Sequence, residues 1–153
     1  MKLSSPAFVH QGLIPALYTC EGKGINPPLK IQDVPAEAAS LVLFIEDPDV
    51  PSFVRKDRMW DHWILFNLPP TTEEISEGSV PLCLVGRSTG GSVQYEGPCP
   101  PDREHRYFFK LYALDMLLPL LAGATKKEVE AAMEGHLLAA TVLMGRYGLL
   151  RTL

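Results

Sequence analysis

The sequence predicts a single mainly-β domain over residues 1–153, an antiparallel β-sandwich of two sheets with one or two short helices. A chain of 153 residues is the size of one domain with one hydrophobic core. Its 14 prolines are spread along the chain, which suits short strands joined by shaped loops and argues against a helical bundle. Many short β-rich segments with one helical pattern favour a sandwich over an alternating α/β fold.

Composition and charge exclude several classes of protein. Hydrophobic residues make up 46% of the chain and charged residues 21%, which is typical of a soluble globular protein. The net charge is −4 and no run of Lys and Arg occurs, so we predict no nucleic-acid partner. The N-terminal residues lack the apolar region of a signal peptide and no apolar stretch is long enough to span a bilayer, which predicts a cytoplasmic location without a transmembrane segment.

The three cysteines, Cys20, Cys83 and Cys99, are odd in number and lack the spacing of a zinc site. We interpret them as reduced thiols that pack as small apolar groups. A disulfide between Cys20 and Cys99 is the alternative, which a reducing compartment disfavours.

The strands follow from β-rich segments bounded by turn-forming residues. The segment 40–46, SLVLFIE, is nearly all apolar, which predicts a central strand covered on both faces. The segment 105–115, HRYFFKLYALD, alternates clearly and is rich in aromatic residues. Further strands are predicted at 3–8, 13–19, 26–31, 61–68 and 137–147.

A helix is predicted to begin at Thr125, because Thr125 and Glu128 form a T-x-x-E capping box. Gly135 is the predicted end of this helix. An apolar stripe at helical spacing would face the core, and it consists of Val129, Ala132, Met133 and His136.

Polar side chains begin the apolar faces of two predicted strands. Alternation places His105 and Tyr107 on one face of strand 105–115, beside the proline-rich segment GPCPP. Arg106 points to the opposite face, so this strand provides no bidentate arginine contact for an anion.

The same alternation in the segment WDHWILF places Trp60 and His62 on one face with Ile64 and Phe66.

Asp47 and Asp49 follow strand 40–46 where it becomes the loop DPDVP. Three strand ends thus offer polar groups beside apolar faces, an arrangement that would line a small pocket if the ends meet. Each group also has a structural interpretation, since aspartates cap turns and a single histidine at a strand end is often a satisfied structural residue.

Three other chemistries match the sequence less well. The nearest approach to the G-x-S-x-G motif of serine hydrolases, residues 86–90, lacks a strand-elbow-helix context. The glycines of this region lack the lysine and the helix of a phosphate loop. His62, His105 and an aspartate have zinc-ligand chemistry but no local ligand spacing, so neither a metal nor a cofactor is predicted.

Several motifs, DPDVP, DHW and YEGPCPP followed by HRYFFKLYAL, resemble the phosphatidylethanolamine-binding protein family in its compact bacterial and archaeal branch, the Raf kinase inhibitor-like proteins. SPAF, IPALYTCEG and GATKKEVEAAMEGHLLAATVLMGRY extend the resemblance over almost the whole chain. The resemblance implies two antiparallel sheets and a small pocket at one edge that accepts phosphate or a phospholipid headgroup.

Carried over motif by motif, the resemblance implies no catalytic residue. It implies a ligand-binding set of Asp47, Asp49, Trp60, His62, Gly97, Pro98, His105 and Tyr107. Family members are linked to inhibition or modulation of kinases and proteases, which makes a protein kinase or another regulated protein a predicted partner, and several bacterial relatives look like homodimers. Ser88 and Thr89 depart from the asparagine-containing stretch of close relatives, and the chain ends near Tyr147 without the C-terminal helix of longer members.

Three functions are compatible with these residues. The leading prediction is a non-catalytic module that binds an anion or a headgroup. The alternatives are a small hydrolase, with His62/His105 and Asp47/Asp49 as acid–base groups, and a ligand-controlled regulator of partner proteins. Affinity for a bare headgroup should be modest, on the order of micromolar to millimolar. Because the aspartates would repel phosphate, binding would need a protonated His62 or His105, a carboxyl proton, or donors from the backbone and Tyr107. Nearby carboxylates raise a histidine pKa, so affinity should weaken as pH rises through the histidine range.

Overall fold

The computed structural model describes residues 1–150, which form two antiparallel sheets, one of five strands and one of three. The strands are β1 Lys2–Ser4, β2 Leu29–Gln32, β3 Ser40–Asp47, β4 Trp60–Leu68, β5 Glu74–Ile75, β6 Leu84–Val85, β7 His105–Leu114 and β8 Leu137–Tyr147. The larger sheet has the order β6-β4-β3-β7-β8, and the smaller sheet has the order β1-β2-β5. The predicted mainly-β class with two antiparallel sheets is confirmed.

Strand β3 is the centre of the larger sheet. It pairs with β4 on one side and with β7 on the other, and all of its side chains are buried. This confirms the central position predicted from its apolar composition, because only a strand covered on both faces can be apolar throughout.

The two faces of the larger sheet pack against different layers. One face packs against the smaller sheet, through residues such as Leu43 and Phe109 on one side and Ile31 on the other. The opposite face packs against helix α1, Lys126–Met133, where Phe44 meets Val129. Tyr107 belongs to the hydrophobic cluster between the sheets, so the inner face of the sandwich extends to the start of β7, where His105 and Tyr107 lie.

Helix α1 begins with the predicted capping box. The backbone N–H of Glu128 donates to Oγ1 of Thr125, and the backbone N–H of Thr125 donates to Oε1 of Glu128, both at 3.2 Å. Val129 and Met133 are buried as predicted. The helix ends before His136, however, so His136 does not continue the stripe and instead pairs with Asp115 at 2.8 Å.

The strand predicted at 13–19 is wrong. The chain there forms a short 3₁₀ turn, Ala16–Tyr18, which follows Pro15. Oγ1 of Thr19 donates to the carbonyl oxygen of Ala16 at 2.9 Å and closes the turn. The strand predicted at 3–8 is also shorter, because the hydroxyl of Ser5 accepts from the N–H of Ala7 and ends the ladder at Ser4.

The interpretation of all cysteines as reduced thiols is wrong for two of them. Cys20 and Cys99 form a disulfide with a Cα–Cα distance of 5.4 Å, across 79 residues of sequence. The fold brings the two segments together, since the N–H of Cys20 also donates to the carbonyl oxygen of Pro98 at 3.1 Å. Cys83 remains a free thiol, and burial raises its pKa to about 11.

No helix within residues 1–150 is long and apolar enough to cross a membrane.

Candidate functional site

A cavity of about 330 Å³ lies where β3, β4 and β7 meet two loops. Its polar lining consists of Asp47, Trp60, His62, Glu96, His105 and Tyr107. Its remaining lining consists of Val50, Val54, Gly97, Cys99, Pro100 and Pro101. The cavity therefore combines an apolar rim with a small group of ionisable side chains, which is typical of a small-ligand site.

An irregularity in the ladder between β3 and β4 brings His62 to this cavity. Ile45 pairs with Trp63 whereas Glu46 pairs with Asp61, so His62 is the extra residue of a β-bulge. On the N-terminal side of the bulge, Trp60 and His62 therefore point to the opposite face of the sheet from the one that regular alternation predicts. The centroid of the His62 ring lies 5.3 Å from that of the Tyr107 ring.

The predicted sharing of one face by His62, Ile64 and Phe66 is therefore wrong. Ile64 and Phe66 pack on the helix side of the sheet, whereas Trp60 and His62 line the cavity. The physical reason is the bulge, which inserts one residue and so shifts the period of two by one position.

His105 lies between two carboxylates. Its Nδ1 is 2.6 Å from Oδ2 of Asp47, and its Nε2 is 2.6 Å from Oδ1 of Asp102. A neutral imidazole carries one N–H, so two such contacts to carboxylates require both nitrogens to donate. The pKa of His105 is accordingly raised: burial alone would lower it, but the hydrogen bonds to Asp47 and Asp102 outweigh burial. The two carboxylate contacts and the raised pKa both favour the imidazolium form of His105.

His62 has the opposite electrostatic environment. Its Nδ1–H donates to the backbone carbonyl oxygen of Glu96 at 2.7 Å, which leaves Nε2 with a lone pair. Burial lowers its pKa, and the hydrogen bond to the Glu96 carbonyl and the nearby carboxylates only partly oppose this effect. The expectation of a raised histidine pKa thus holds for His105, whereas at His62 the carboxylates act in the expected direction but burial outweighs them.

Tyr107 carries a buried hydroxyl without a hydrogen-bond partner among the residues that the structure describes. Its ring packs edge-on against His62 and stacks on His105 with a centroid distance of 6.4 Å. Burial raises its pKa most, and the Asp47 carboxylate, which lies near the hydroxyl but makes no hydrogen bond of normal geometry with it, raises the pKa further, so the hydroxyl stays protonated. An unpaired buried hydroxyl is costly, which marks Tyr107 as a position where a ligand atom would be stabilising.

Glu96 is the one residue of the polar lining that the sequence argument missed. Its carboxylate accepts from Nε1 of Trp60 at 2.9 Å and from the hydroxyl of Ser88. Thr89 completes this loop by accepting, through Oγ1, from the N–H of Asp61 at 2.7 Å. The signal was present in YEGPCPP, where Glu96 precedes the glycine, and in the departure at Ser88 and Thr89.

Asp49 and Pro98 do not line the cavity, which corrects their predicted position. The carboxylate of Asp49 accepts from Arg106 through its backbone N–H at 2.8 Å, Nε at 3.0 Å and Nη2 at 2.9 Å. The hydrogen bonds from Arg106 are the main reason that the pKa of Asp49 is lowered. Arg106 lies on the face away from His105 and Tyr107, as its parity predicts.

The loop that carries Gly97 and Pro98 is clamped against the 3₁₀ turn. A Cβ at Gly97 would lie 2.8 Å from the carbonyl oxygen of Tyr18, so only glycine allows this approach. The carbonyl of Pro98 is occupied by the N–H of Cys20, and the disulfide follows at Cys99. Gly97 and Cys99 thus form a covalently tethered wall of the cavity, with Pro98 behind it.

Within residues 1–150, no group of three or more His, Cys, Asp or Glu side chains is arranged to hold a metal ion.

The fold and the site define a β-sandwich with a polar cavity at the ends of its central strands. A family model described as phosphatidylethanolamine-binding protein matches residues 4–148. The chain therefore belongs to the phosphatidylethanolamine-binding protein family.

The relatives of this chain include bacterial and archaeal proteins of similar length. A UPF0098 protein of Chlamydia muridarum is 50% identical over 147 residues, covering 96% of this chain and 98% of the relative. A UPF0098 protein of Methanothermobacter thermautotrophicus is 46% identical over 153 residues, with coverage of 96% and 98%.

Solved structures show the same fold. The crystal structure of CT736, a putative phosphatidylethanolamine-binding protein homolog from Chlamydia trachomatis, matches with a TM-score of 0.94 and 48% identity over 96% of each chain. E. coli YbcL, described as a new member of the mammalian PEBP family, matches with a TM-score of 0.86 over 97% of this chain and 98% of YbcL. At 23% identity, the likeness to YbcL concerns the fold alone.

Proposed function

We propose that this protein is a non-catalytic module that binds a singly charged phosphate group in the cavity, either as inorganic phosphate or as the phosphodiester of a lipid headgroup. The observation that carries the proposal is the buried hydroxyl of Tyr107, which makes no hydrogen bond of normal geometry to residues 1–150, in a residue that lines the cavity beside His62. A phosphate oxygen would accept from this hydroxyl and relieve the cost of the unpaired donor.

The carboxylates of the cavity already have hydrogen-bond donors, which makes an anionic ligand tolerable. Asp47 accepts from His105 and from the N–H of Asp49 at 2.8 Å. Glu96 accepts from Trp60 and Ser88. Even so, the carboxylates of the site outnumber the single imidazolium, so a second negative charge on the ligand would be repelled.

His62 can form a hydrogen bond with the ligand in either of its protonation states. Because its Nδ1–H is used by the Glu96 carbonyl, Nε2 accepts a hydrogen bond from a P–OH group when His62 is neutral. When His62 is protonated, Nε2–H donates to a phosphate oxygen instead. For inorganic phosphate, the complex in both cases holds one more proton than neutral His62 together with the phosphate dianion HPO₄²⁻.

Calorimetric titration tests this proposal with inorganic phosphate, glycerophosphoethanolamine and sulfate, each between about pH 5.5 and 8. We expect dissociation constants on the order of micromolar to millimolar for the two phosphates, and affinity for inorganic phosphate that weakens as pH rises. Glycerophosphoethanolamine has no titrating P–OH, so its pH dependence should be smaller and should reflect His62 alone. Tighter binding of glycerophosphoethanolamine than of inorganic phosphate would identify a lipid headgroup, rather than free phosphate, as the ligand.

The variant His62→Gln is the matched test of the residue. It should weaken inorganic phosphate binding and flatten the pH dependence of glycerophosphoethanolamine binding, whereas His136→Gln, at an exposed pair with Asp115, should change neither. Absence of phosphate binding to the wild-type protein, or equal binding by His62→Gln, would contradict the proposal.

The hydrolase alternative has less support from the cavity lining. No serine or threonine is among its described lining residues, and Cys99 is held in a disulfide. Both ring nitrogens of His105 are already paired with carboxylates, so His105 has no lone pair with which to act as a base. Assay with p-nitrophenyl phosphate would decide: turnover that His62→Ala abolishes would favour the hydrolase.

A further inference from the structure

Asp102 occupies the outer hydrogen-bond position of His105. Its Oδ1 lies 2.6 Å from Nε2 of His105, in the loop that leads from the prolines at the cavity wall into β7. His105 itself is 1% exposed, whereas the side chain of Asp102 is 33% exposed. The buried imidazolium is thus covered on its outer side by a carboxylate that reaches solvent.

The two carboxylate partners of His105 are held very differently. Asp47 is buried, belongs to β3 and also accepts from the N–H of Asp49. Asp102 lies on a loop, and its other charged neighbour is Arg103, with an N–O distance of 3.8 Å. Asp102 can therefore rotate into water and remain solvated, whereas Asp47 cannot leave the imidazolium without becoming a buried unpaired charge.

We propose that Asp102 is an internal competitor for the anion, which binds by replacing the Asp102 carboxylate on the Nε2–H of His105. This inference rests on the proposed function, because it concerns the same cavity and the same ligand. A phosphate oxygen and a carboxylate oxygen are acceptors for the same donor, so the exchange keeps the imidazolium paired on both sides. It also moves one negative charge away from the site at the moment when the anion arrives.

Competition of this kind sets both the affinity and the selectivity of the site. The internal carboxylate is always close to His105, so a free ligand must offer more than one carboxylate-like contact to displace it. Phosphate has several oxygens, and the rings of His62 and His105 both contact Tyr107, at 5.3 and 6.4 Å between centroids. A single phosphate group would therefore reach donors that acetate cannot reach together with His105.

The test compares Asp102→Ala with Glu104→Gln in calorimetric titrations with inorganic phosphate and with acetate at about pH 6, where His105 is protonated. Both variants remove one negative charge from the same loop, but the Glu104 carboxylate pairs with Arg146 rather than with His105. We expect Asp102→Ala to bind phosphate at least tenfold more tightly than the wild type and to gain measurable acetate binding. Glu104→Gln should stay within about threefold of the wild type, because it changes only the long-range field.

A second variant and a second measurement keep the test decisive. Asp102→Asn retains an acceptor on His105 without the charge, so it should give an intermediate gain and serves if Asp102→Ala does not fold. In nitrogen-15 spectra of the wild-type protein, phosphate should shift the Nε2 resonance of His105 more than the Nδ1 resonance, which remains bonded to Asp47.

The outcomes separate the two levels of the proposal. If the wild type binds phosphate and neither Asp102 variant binds it more tightly, the competitor role of Asp102 is wrong while the binding function stands. An equal gain in Glu104→Gln would likewise overturn the competitor role, since charge alone would explain it. No phosphate binding by wild type or variants would overturn the proposed function and this inference together.

Discussion

Nδ1 of His105 lies 2.6 Å from Oδ2 of Asp47, and both side chains are almost completely buried at the end of the sandwich core. Such a pair is not strong evidence for net stability, because removing two charges from water is costly. Its consequence is specific, however: neither residue can be removed alone without leaving the other charge buried and unpaired. The ion pair therefore couples the charge of His105 to that of Asp47.

The variant His105→Gln should destabilise the protein, because Asp47 would lose its counter-charge in a buried position. We expect the free energy of unfolding to fall by about 3–5 kcal/mol, measured by urea titration. The control His136→Gln, at a half-exposed pair with Asp115, should change it by no more than about 1 kcal/mol. A loss in His105→Gln no larger than in this control would contradict the assignment of a buried ion pair.

The pH dependence of stability should carry the signature of His105. Its folded-state pKa is raised above the ordinary value of 6.5, so its contribution is fully present below that value and is lost as pH rises through the folded-state pKa. The pKa of Asp102 is lowered from 3.8, because the hydrogen bond from His105 outweighs burial, so its contribution is lost as pH falls through that lower pKa. The pair should stabilise most between these ordinary values. Urea titrations that extend below pH 3.8 and above pH 6.5 should show wild-type stability falling at both ends, and this fall should be smaller in His105→Gln.

Tyr107→Phe should separate stability from binding. The lost hydroxyl makes no hydrogen bond of normal geometry to residues 1–150, so the free energy of unfolding should stay constant or rise by about 1 kcal/mol, while phosphate affinity falls. Tyr95→Phe is the matched control, because its buried hydroxyl donates to the carbonyl oxygen of Tyr18 at 2.8 Å. That variant should lose about 0.5–1.5 kcal/mol. Unchanged phosphate binding in a folded Tyr107→Phe protein would contradict the assigned role of the hydroxyl.

The Cys20–Cys99 disulfide should contribute substantially to stability, because it closes a long loop between the 3₁₀ turn and the cavity wall. Replacing both cysteines by serine should lower the free energy of unfolding by about 2–5 kcal/mol. The oxidised wild type treated with a dithiol reductant should approach the same value. Cys83→Ser is the control, because Cys83 is free: its difference in stability from the wild type should be the same with and without the reductant. A wild type whose stability does not change on reduction would contradict the disulfide.

A charge cluster on the helix side of the larger sheet offers a further test. Nζ of Lys126 lies 2.7 Å from Oε1 of Glu46 and 3.1 Å from Oδ1 of Asp61, and Glu46 is buried. Lys126→Met would leave these carboxylates with less compensation and should cost about 3–5 kcal/mol in urea titrations. The adjacent Lys127, which is exposed, provides the control: Lys127→Met should change stability by about 0.5 kcal/mol or less. Similar losses in both variants would contradict a special role for Lys126.

Local sequence patterns predicted the regular parts of the fold correctly. The apolar segment around Leu43 is the central strand, and the alternation from His105 to Ala113 matches the burial of β7, because β7 pairs without irregularity over that length. Failures occurred where a local hydrogen bond competed with the ladder. Thr19 closes a 3₁₀ turn in a segment predicted as a strand, and such a turn has no periodic signal.

The candidate site was predictable in composition and less so in arrangement. Six of the expected residues line one cavity, Asp47, Trp60, His62, Gly97, His105 and Tyr107. Their role in binding stays a prediction. Asp49 was misplaced because its carboxylate is taken by Arg106, a partner 57 positions away in sequence. Glu96 was missed because Trp60 and Ser88, which donate hydrogen bonds to its carboxylate in the cavity, contact it only in the folded chain.

The sequence by itself determined the class of fold, the central strand, the capped helix and the set of polar residues at the strand ends. These features depend on side-chain period and on local backbone preference, which are properties of neighbouring residues. Only the tertiary structure decided that His62 enters the cavity through a bulge and that Cys20 meets Cys99. It also decided that the pKa of His105, between two carboxylates, is raised while burial lowers that of His62. The physical reason is that burial and the distance to a charge set a pKa, and both are fixed by contacts between segments far apart in the chain.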